Sequence, residues 1–492
     1  MTDLTRLDWF RYTSSDPQPA AILAAISHRL RLVSPRNLSK VTVVEPPRTA
    51  QLAALARLAG PVVLARAGNT VLNVTNLVII GHAGAGELAR QSVAFSLTNT
   101  LQMIGFGLLT GTLVTVAVSF GRDDFVECGR AWRRSLHYAV GLGILGAMLS
   151  SFAPELLEVT GQLPEFASAV GRVTLILGWS LPAQLLFVAT SFFLEAIGRP
   201  HPGMMAIGLG AAANALLCWA LVFGDWGLPA LGAEGTAIAN LIVRVLLAAG
   251  LIIYALLFRE ARRFGTRKSG AGSWRSGASQ RRIGYADGLS LGIESGAFTA
   301  MNIFAATLGT SAVGAYAIAL SLLGIIFTFA LGLSAATAVL VGRAYGRQSA
   351  RGIAFCGWLG TAVNTGAMVL AGIPLLLAPA DIARLYSTDP AVVATAAPLI
   401  VIIAATMIGD GGQRVVAQSL RGCHDAWFPT ALHMISYAMI MVPLGWALAF
   451  GFGLGVTGLL LAIAIASFAS LAVLSTRFGW IIGALRAQWS RP

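Results

Sequence analysis

The sequence predicts an all-α membrane protein: twelve transmembrane helices in two parallel six-helix repeats, or lobes, around a central cleft. Three observations predict it. Hydrophobic residues fill 56% of the 492 positions and charged residues only 11%, against roughly 25% charged in soluble domains. Apolar runs near the ~20 residues that a span requires recur twelve times along the chain. The basic residues also alternate sides. Of the 34, Arg66, Arg244 and Arg414 fall inside apolar runs, Arg90, Arg172 and Arg384 fall in odd-numbered loops, and the remaining 28 lie in the tails and even-numbered loops. Loops that stay in the cytoplasm retain Lys and Arg. Both termini are therefore expected inside, in a bacterial-type inner (plasma) membrane.

In chain order, residues 1–50 form an extension rich in Pro, Ser and Arg that is expected to be cytoplasmic. Within it, Ala20–Val33 is compatible with a short interfacial amphipathic helix or with a disordered tail. A first lobe follows over 51–258, with spans expected at 57–80, 93–118, 135–153, 171–195, 203–224 and 234–257. Residues 259–283 carry eight Lys and Arg residues among Gly and Ser, the composition of a flexible cytoplasmic linker. The second lobe, 284–476, places spans at 286–307, 313–341, 355–378, 396–420, 428–450 and 455–475, and a cytoplasmic tail is expected over 477–492.

The halves repeat. Gly107–Asp124 (GLLTGTLVTVAVSFGRDD) aligns with Gly332–Ser349 (GLSAATAVLVGRAYGRQS) at an offset of 225, with seven of eighteen positions identical. LEAIGRPHP at 194–202 falls opposite LRGCHDAWFP at 420–429, the connection from fourth to fifth span in each half. Six spans per half start both copies on the same side, so an axis along the membrane normal relates them. That geometry builds a two-lobed transporter with a central cleft rather than a single-pore channel.

The same segments carry a resemblance. GDGGQRVVAQSLRGCHDAWFP (409–429), with Pro443 and Gly445 in the next span, resembles the tenth and eleventh helices of multidrug and toxic compound extrusion (MATE) transporters of the NorM-like branch. FLEAIGRPHPGM (193–204) followed by AEGTAIAN (233–240) resembles the matching first-half segment, and the paired SFGR and AYGR connections fit as well. The resemblance runs from about residue 55 to about 475. It implies a cation-coupled antiporter, driven by Na⁺ or H⁺, that exports amphipathic or cationic organic compounds. The nearest alternative within the superfamily is a flippase for lipid-linked saccharides.

Carboxylates at membrane depth are costly unless hydrated, paired or protonated, so each is a functional hypothesis. Glu294, in LSLGIESGAF, and Asp410, in TMIGDGGQ, sit inside the seventh and tenth spans. By resemblance they hold the coupling ion, with no other metal implied. A competing structural reading pairs Asp410 with Arg414 at i, i+4. The first lobe departs from the family pattern, because Asn76 stands where many relatives carry an aspartate. As a cavity candidate Asn76 can ligate a cation or hydrogen-bond a substrate, but an amide takes up no proton, so coupling is expected to concentrate in the C-terminal lobe. Gln184, opposite Asp410 at an offset of 226, and Asn214 are further candidates for cavity lining, as is Arg414, or for interhelical hydrogen bonds. Arg66 and Arg244 are expected in structural roles, and His433 as a packed histidine.

Other classes find little support. The net charge of +13 is scattered through loops without an aromatic-interleaved stripe, so no nucleic-acid partner is expected, only membrane lipid and small organic substrates. Cys128, Cys218, Cys356 and Cys423 show no metal-ligand spacing. The N-terminus has no signal-peptide pattern, which leaves the first span as the insertion signal. No P-loop, GxSxG or HExxH motif occurs, so no enzymatic activity and no organic cofactor are expected, and the energy source is an ion gradient. A monomer is expected.

Overall fold

The computed structural model describes residues 48–268, 270 and 274–490. Twelve long helices follow one another: α1 Arg48–Ala83, α2 Ala85–Gly121, α3 Phe125–Ser150, α4 Pro164–Ala196, α5 His201–Phe223, α6 Gly232–Leu257, α7 Ala278–Thr307, α8 Thr310–Gly346, α9 Ala350–Leu377, α10 Pro390–Gly422, α11 Trp427–Gly451 and α12 Gly455–Trp489. Ten are long and apolar enough to cross a membrane; α3 reaches that standard together with the short helix Ala153–Val159, bent from it by 42°. Among these helices α7 falls short, its first 17 residues carrying Gln280, Arg281, Arg282, Asp287 and Glu294, of which Gln280, Asp287 and Glu294 are buried. Large apolar side chains such as Leu64, Leu209, Leu246, Ile303 and Leu370 face outward, as the surface of an integral membrane protein requires.

The repeat is visible in where helices start and stop. Gly84 (φ 128°) and Gly309 (φ 106°), 225 residues apart, cap the starts of α2 and α8. At the other ends, Asp123 and Gln348 both adopt positive φ at the same offset, and the next residue caps the following helix. Asp124 accepts a bond from the Glu127 amide and Ser349 one from the Gly352 amide, each at 2.9 Å. A side-chain oxygen there satisfies an amide that the first turn leaves without a partner.

α1–α6 form one lobe and α7–α12 the other, and they meet where α7 packs on α2 and where α8 packs on α1 and α2. The contact is backbone on backbone. A Cβ on Gly111 would sit 1.9 Å from the Gln280 carbonyl oxygen, one on Gly107 2.6 Å from Gly288 Cα, and one on Gly346 2.2 Å from the Val118 oxygen. All these contacts lie toward the end that carries the basic loops after α2 and α8. Nearer the opposite end, Gly296 and Gly324 meet nothing within 4 Å. The lobes are thus closed at the basic-loop end.

Two stretches between and beyond the expected spans carry structure. The linker stretch is partly ordered: the Arg133 guanidinium donates to the Gly265 carbonyl, Phe264 is buried against Phe125 and Phe193, and α7 already begins at Ala278. The stretch read as a tail from 477 continues α12 to Trp489. There Arg477 bonds Asp425 at 2.8 Å and lies 4.7 Å over the Phe428 and Trp480 rings, and Trp489 packs on Tyr345. The Ala20–Val33 segment lies outside the described residues.

Candidate functional site

The helical period lines up Asp410, Arg414, Gln418 and Arg421 along one face of α10. Opposite them α7 presents Asp287, Ser290 and Glu294. Arg414 reaches across and bonds Glu294, and its guanidinium lies 5.0 Å from the Phe327 ring centre. One helix end further, Arg421 pairs with Asp287 at 3.0 Å, and the Gln418 amide donates to the other Asp287 oxygen at 3.1 Å. All of these polar and charged residues are buried. Removing water from such pairs costs about what their attraction returns, but breaking one strands a charge.

Asp410 is different. Arg414 is spent on Glu294, so the i, i+4 pairing read from α10 alone does not form. Among the described residues Asp410 makes no ion pair. Its Oδ1 instead accepts from Gln413 Nε2 at 2.9 Å and from the Tyr437 hydroxyl at 3.4 Å, and Ser467 Oγ lies 3.5 Å from the same amide nitrogen. Gln413 Oε1 is buried without a hydrogen-bond partner. A carboxylate, an orphaned amide oxygen and two hydroxyls are hard oxygen donors, which suit Na⁺; the carboxylate by itself suits a proton. Among the described residues no cluster of three or more His, Cys, Asp or Glu could hold another metal.

Two neighbouring cavities face this cluster. One, mostly on the C-terminal-lobe side, is lined by Glu294, Asp410, Phe298, Phe327 and Leu323. The other lies between the lobes and is lined by Arg66, Phe106, Gln184 and Phe192 from the first and by Asp287 and Arg414 from the second. Met103 and Leu291 line both.

The N-terminal candidates separate. Gln184 lines the central cavity, and its Oε1 has no partner. Asn214 lines neither of these two cavities: its Nδ2 donates to Asn76 Oδ1, and the two amides bridge α5 and α1. This one hydrogen bond joins the two helices, while Asn214 Oδ1 stays buried without a hydrogen-bond partner. Arg244 is buried, with Asn240 Oδ1 3.4 Å from its Nε, and His433 Nδ1 meets the Ser290 hydroxyl.

Three charged residues escaped the sequence reading. Asp287 sits one residue inside the expected start of its span, and Arg421 was read as part of a connection that α10 in fact includes. Glu195, near the end of α4, is buried, lies 3.4 Å from Arg66 and accepts the Ser191 hydroxyl at 2.8 Å. The repeat offset carried the signal: Glu195 and Arg421 occupy equivalent positions, and each pairs with the first helix of its own lobe, with the signs exchanged.

The MatE family model matches residues 61–220 and 288–447, once in each lobe. The chain is similar to a probable multidrug resistance protein NorM of Caulobacter vibrioides, 37% identical over 88% of this chain and 92% of the relative. A protein of the same description from Brucella suis is 29% identical over 85% of this chain and 91% of its own. Among solved structures, the eukaryotic MATE transporter AtDTX14 matches with a TM-score of 0.80 at 18% identity, over 90% of this chain and 99% of that one. A MATE structure in the straight conformation gives 0.81 at 18%, over 88% and 96%.

Proposed function

The chain belongs to the MatE family, and from that premise we propose that it is a cation-coupled antiporter exporting amphipathic or cationic organic compounds. The relatives described as multidrug resistance proteins support this reading. The observation that carries it is Asp410, a buried carboxylate at membrane depth that borders a cavity and lacks the cationic partner its neighbours have. Asp287 and Glu294 are matched by Arg421 and Arg414, so the cluster retains one uncompensated negative charge. One H⁺ or one Na⁺ neutralises it. An organic cation in the adjoining cavity, against Phe298 and Phe327, competes for the same charge, and mutually exclusive occupancy is what antiport requires.

The coupling ion binds from outside and favours release of the substrate; its discharge inward resets the lobes. Glu294 shares the site and, held by Arg414, fixes the position of α7 beside Asp410. No organic cofactor takes part. The protein is proposed to be a monomer of the inner membrane, and the basic-loop bias supports placing both termini in the cytoplasm. Nothing in the relatives favours the lipid-linked saccharide flippase.

Everted membrane vesicles with separately imposed Na⁺ and H⁺ gradients test the proposal. One gradient should drive uptake of a fluorescent organic cation, and Asp410→Asn should abolish it. Equal uptake with and without any gradient would remove the coupling and leave a facilitator.

A further inference from the structure

The central cavity has a polarity that an exporter of organic cations does not need. Two arginines, Arg66 and Arg414, line the space between the lobes, while their carboxylate partners Glu195 and Glu294 do not. Arg66 keeps 16% of its side chain exposed, and its only carboxylate, Glu195, is 3.4 Å away and nearly fully buried. Its guanidinium is flanked by Phe106 and Phe192, at 5.6 and 5.2 Å from their ring centres. Arg414 spends Nη2 on Glu294, and its Nη1 is buried without a hydrogen-bond partner. The one carboxylate lining this cavity, Asp287, is already paired with Arg421. The unmatched negative charge, Asp410, lies in the adjoining cavity. Two neighbouring cavities, which share Met103 and Leu291, therefore present opposite signs.

We propose that the central cavity is a carboxylate-accepting subsite, in which Arg66 and Arg414 receive the anionic end of an aromatic solute whose amine end lies toward Asp410. Guanidinium groups bind planar carboxylates through paired N–H donors, and a dry, aromatic-walled site strengthens the bond. Phe106 and Phe192 hold Arg66 in place and offer their remaining surface to the ring of the solute. The inference rests on the export reading for the direction of transport, but not for the binding itself.

The test uses 4-(aminomethyl)-1-naphthoate and its methyl ester, which share ring and amine and differ in the carboxylate. Binding to the purified full-length protein in detergent should favour the acid over the ester by about tenfold or more. Arg66→Gln with Glu195→Gln removes the positive end without stranding a charge, and should lower that preference at least tenfold. Gln184→Glu adds a negative charge to the same wall while leaving both ion pairs intact, and should lower it too. Arg66→Lys should recover most of it. An acid bound no better than its ester by the unmodified protein, or a preference unchanged in both variants, overturns the subsite. If the preference behaves as expected but neither compound crosses vesicle membranes under a Na⁺ or H⁺ gradient, the export reading falls and the subsite stands.

Discussion

Asp410 and Glu294 look alike in the sequence, yet their partners make them respond differently to neutralisation. Asp410→Asn removes a charge that makes no ion pair, and an amide still accepts from Gln413 and Tyr437. Gradient-driven export should be lost while thermal unfolding in detergent stays within a few degrees of the parent protein. Glu294→Gln instead leaves the Arg414 guanidinium buried beside a neutral amide. Stranding a buried charge costs about 3–5 kcal/mol, so this variant should unfold at a clearly lower temperature, and adding Arg414→Gln should restore most of the loss. A Glu294→Gln protein as stable as the parent would contradict the pairing. No residue spacing on α10 reveals this partner, since the i, i+4 rule sees one helix and the guanidinium crosses to another. Fully buried pairs such as Asp287–Arg421 are hidden for the same reason.

At the scale of helices, the α2–α7 contact depends on glycines. Gly111 lies so close to the Gln280 carbonyl that a methyl group there meets backbone, which cannot rotate away. The Gln280 side chain staples the same crossing, donating at 3.1 Å both to Thr112 Oγ1 and to the Ala131 carbonyl. Overpacking of this kind costs about 1–3 kcal/mol. Gly111→Ala should lower the unfolding temperature and the export rate together, whereas Gly292→Ala, whose new methyl would meet Ile104 at 3.5 Å, should be tolerated. Equal behaviour of the two would show that the crossing is not tight. Helix number and repeat were legible because apolar runs and the shared GLxxxTxVxV spacing at offset 225 survive in both halves. The tightness of this crossing was not, because glycine is spread through all twelve helices and only pairing shows which ones touch. Nor was α11, where Pro443 lacks an amide hydrogen and the chain widens into π turns over Met434–Met441 and Ala447–Gly451. Tyr437 reaches Asp410 from the first of these turns.

The whole molecule is held closed at the basic-loop end by a contact that the repeat does not duplicate. If that end faces the cytoplasm, single cysteines within 259–282 should resist an impermeant thiol reagent applied outside, and one at Gly227 should react; the reverse pattern would invert the topology. Arg343, near the end of α8, crosses to the other lobe and donates to the Ala196 carbonyl at the end of α4, from Nε at 3.2 Å and Nη2 at 2.7 Å. Its guanidinium also lies 4.6 Å from the Phe120 ring centre. A helix C-terminus leaves carbonyls without partners and carries partial negative charge, so a cation there closes both accounts. The equivalent of Arg343 in the first lobe is Val118, which offers no such donor. One charge-assisted bond of this kind contributes about 1.5–3 kcal/mol, enough to bias the lobes between closed and open by roughly ten- to a hundredfold. Spin labels at the repeat-related exposed positions Val126 and Arg351 report the separation of the lobes at this end. The parent protein should give mainly one short distance. Arg343→Gln should add a longer one, and Arg343→Lys, which keeps a donor, should add less of it. Identical distance distributions in all three would show that glycine packing alone keeps this end shut.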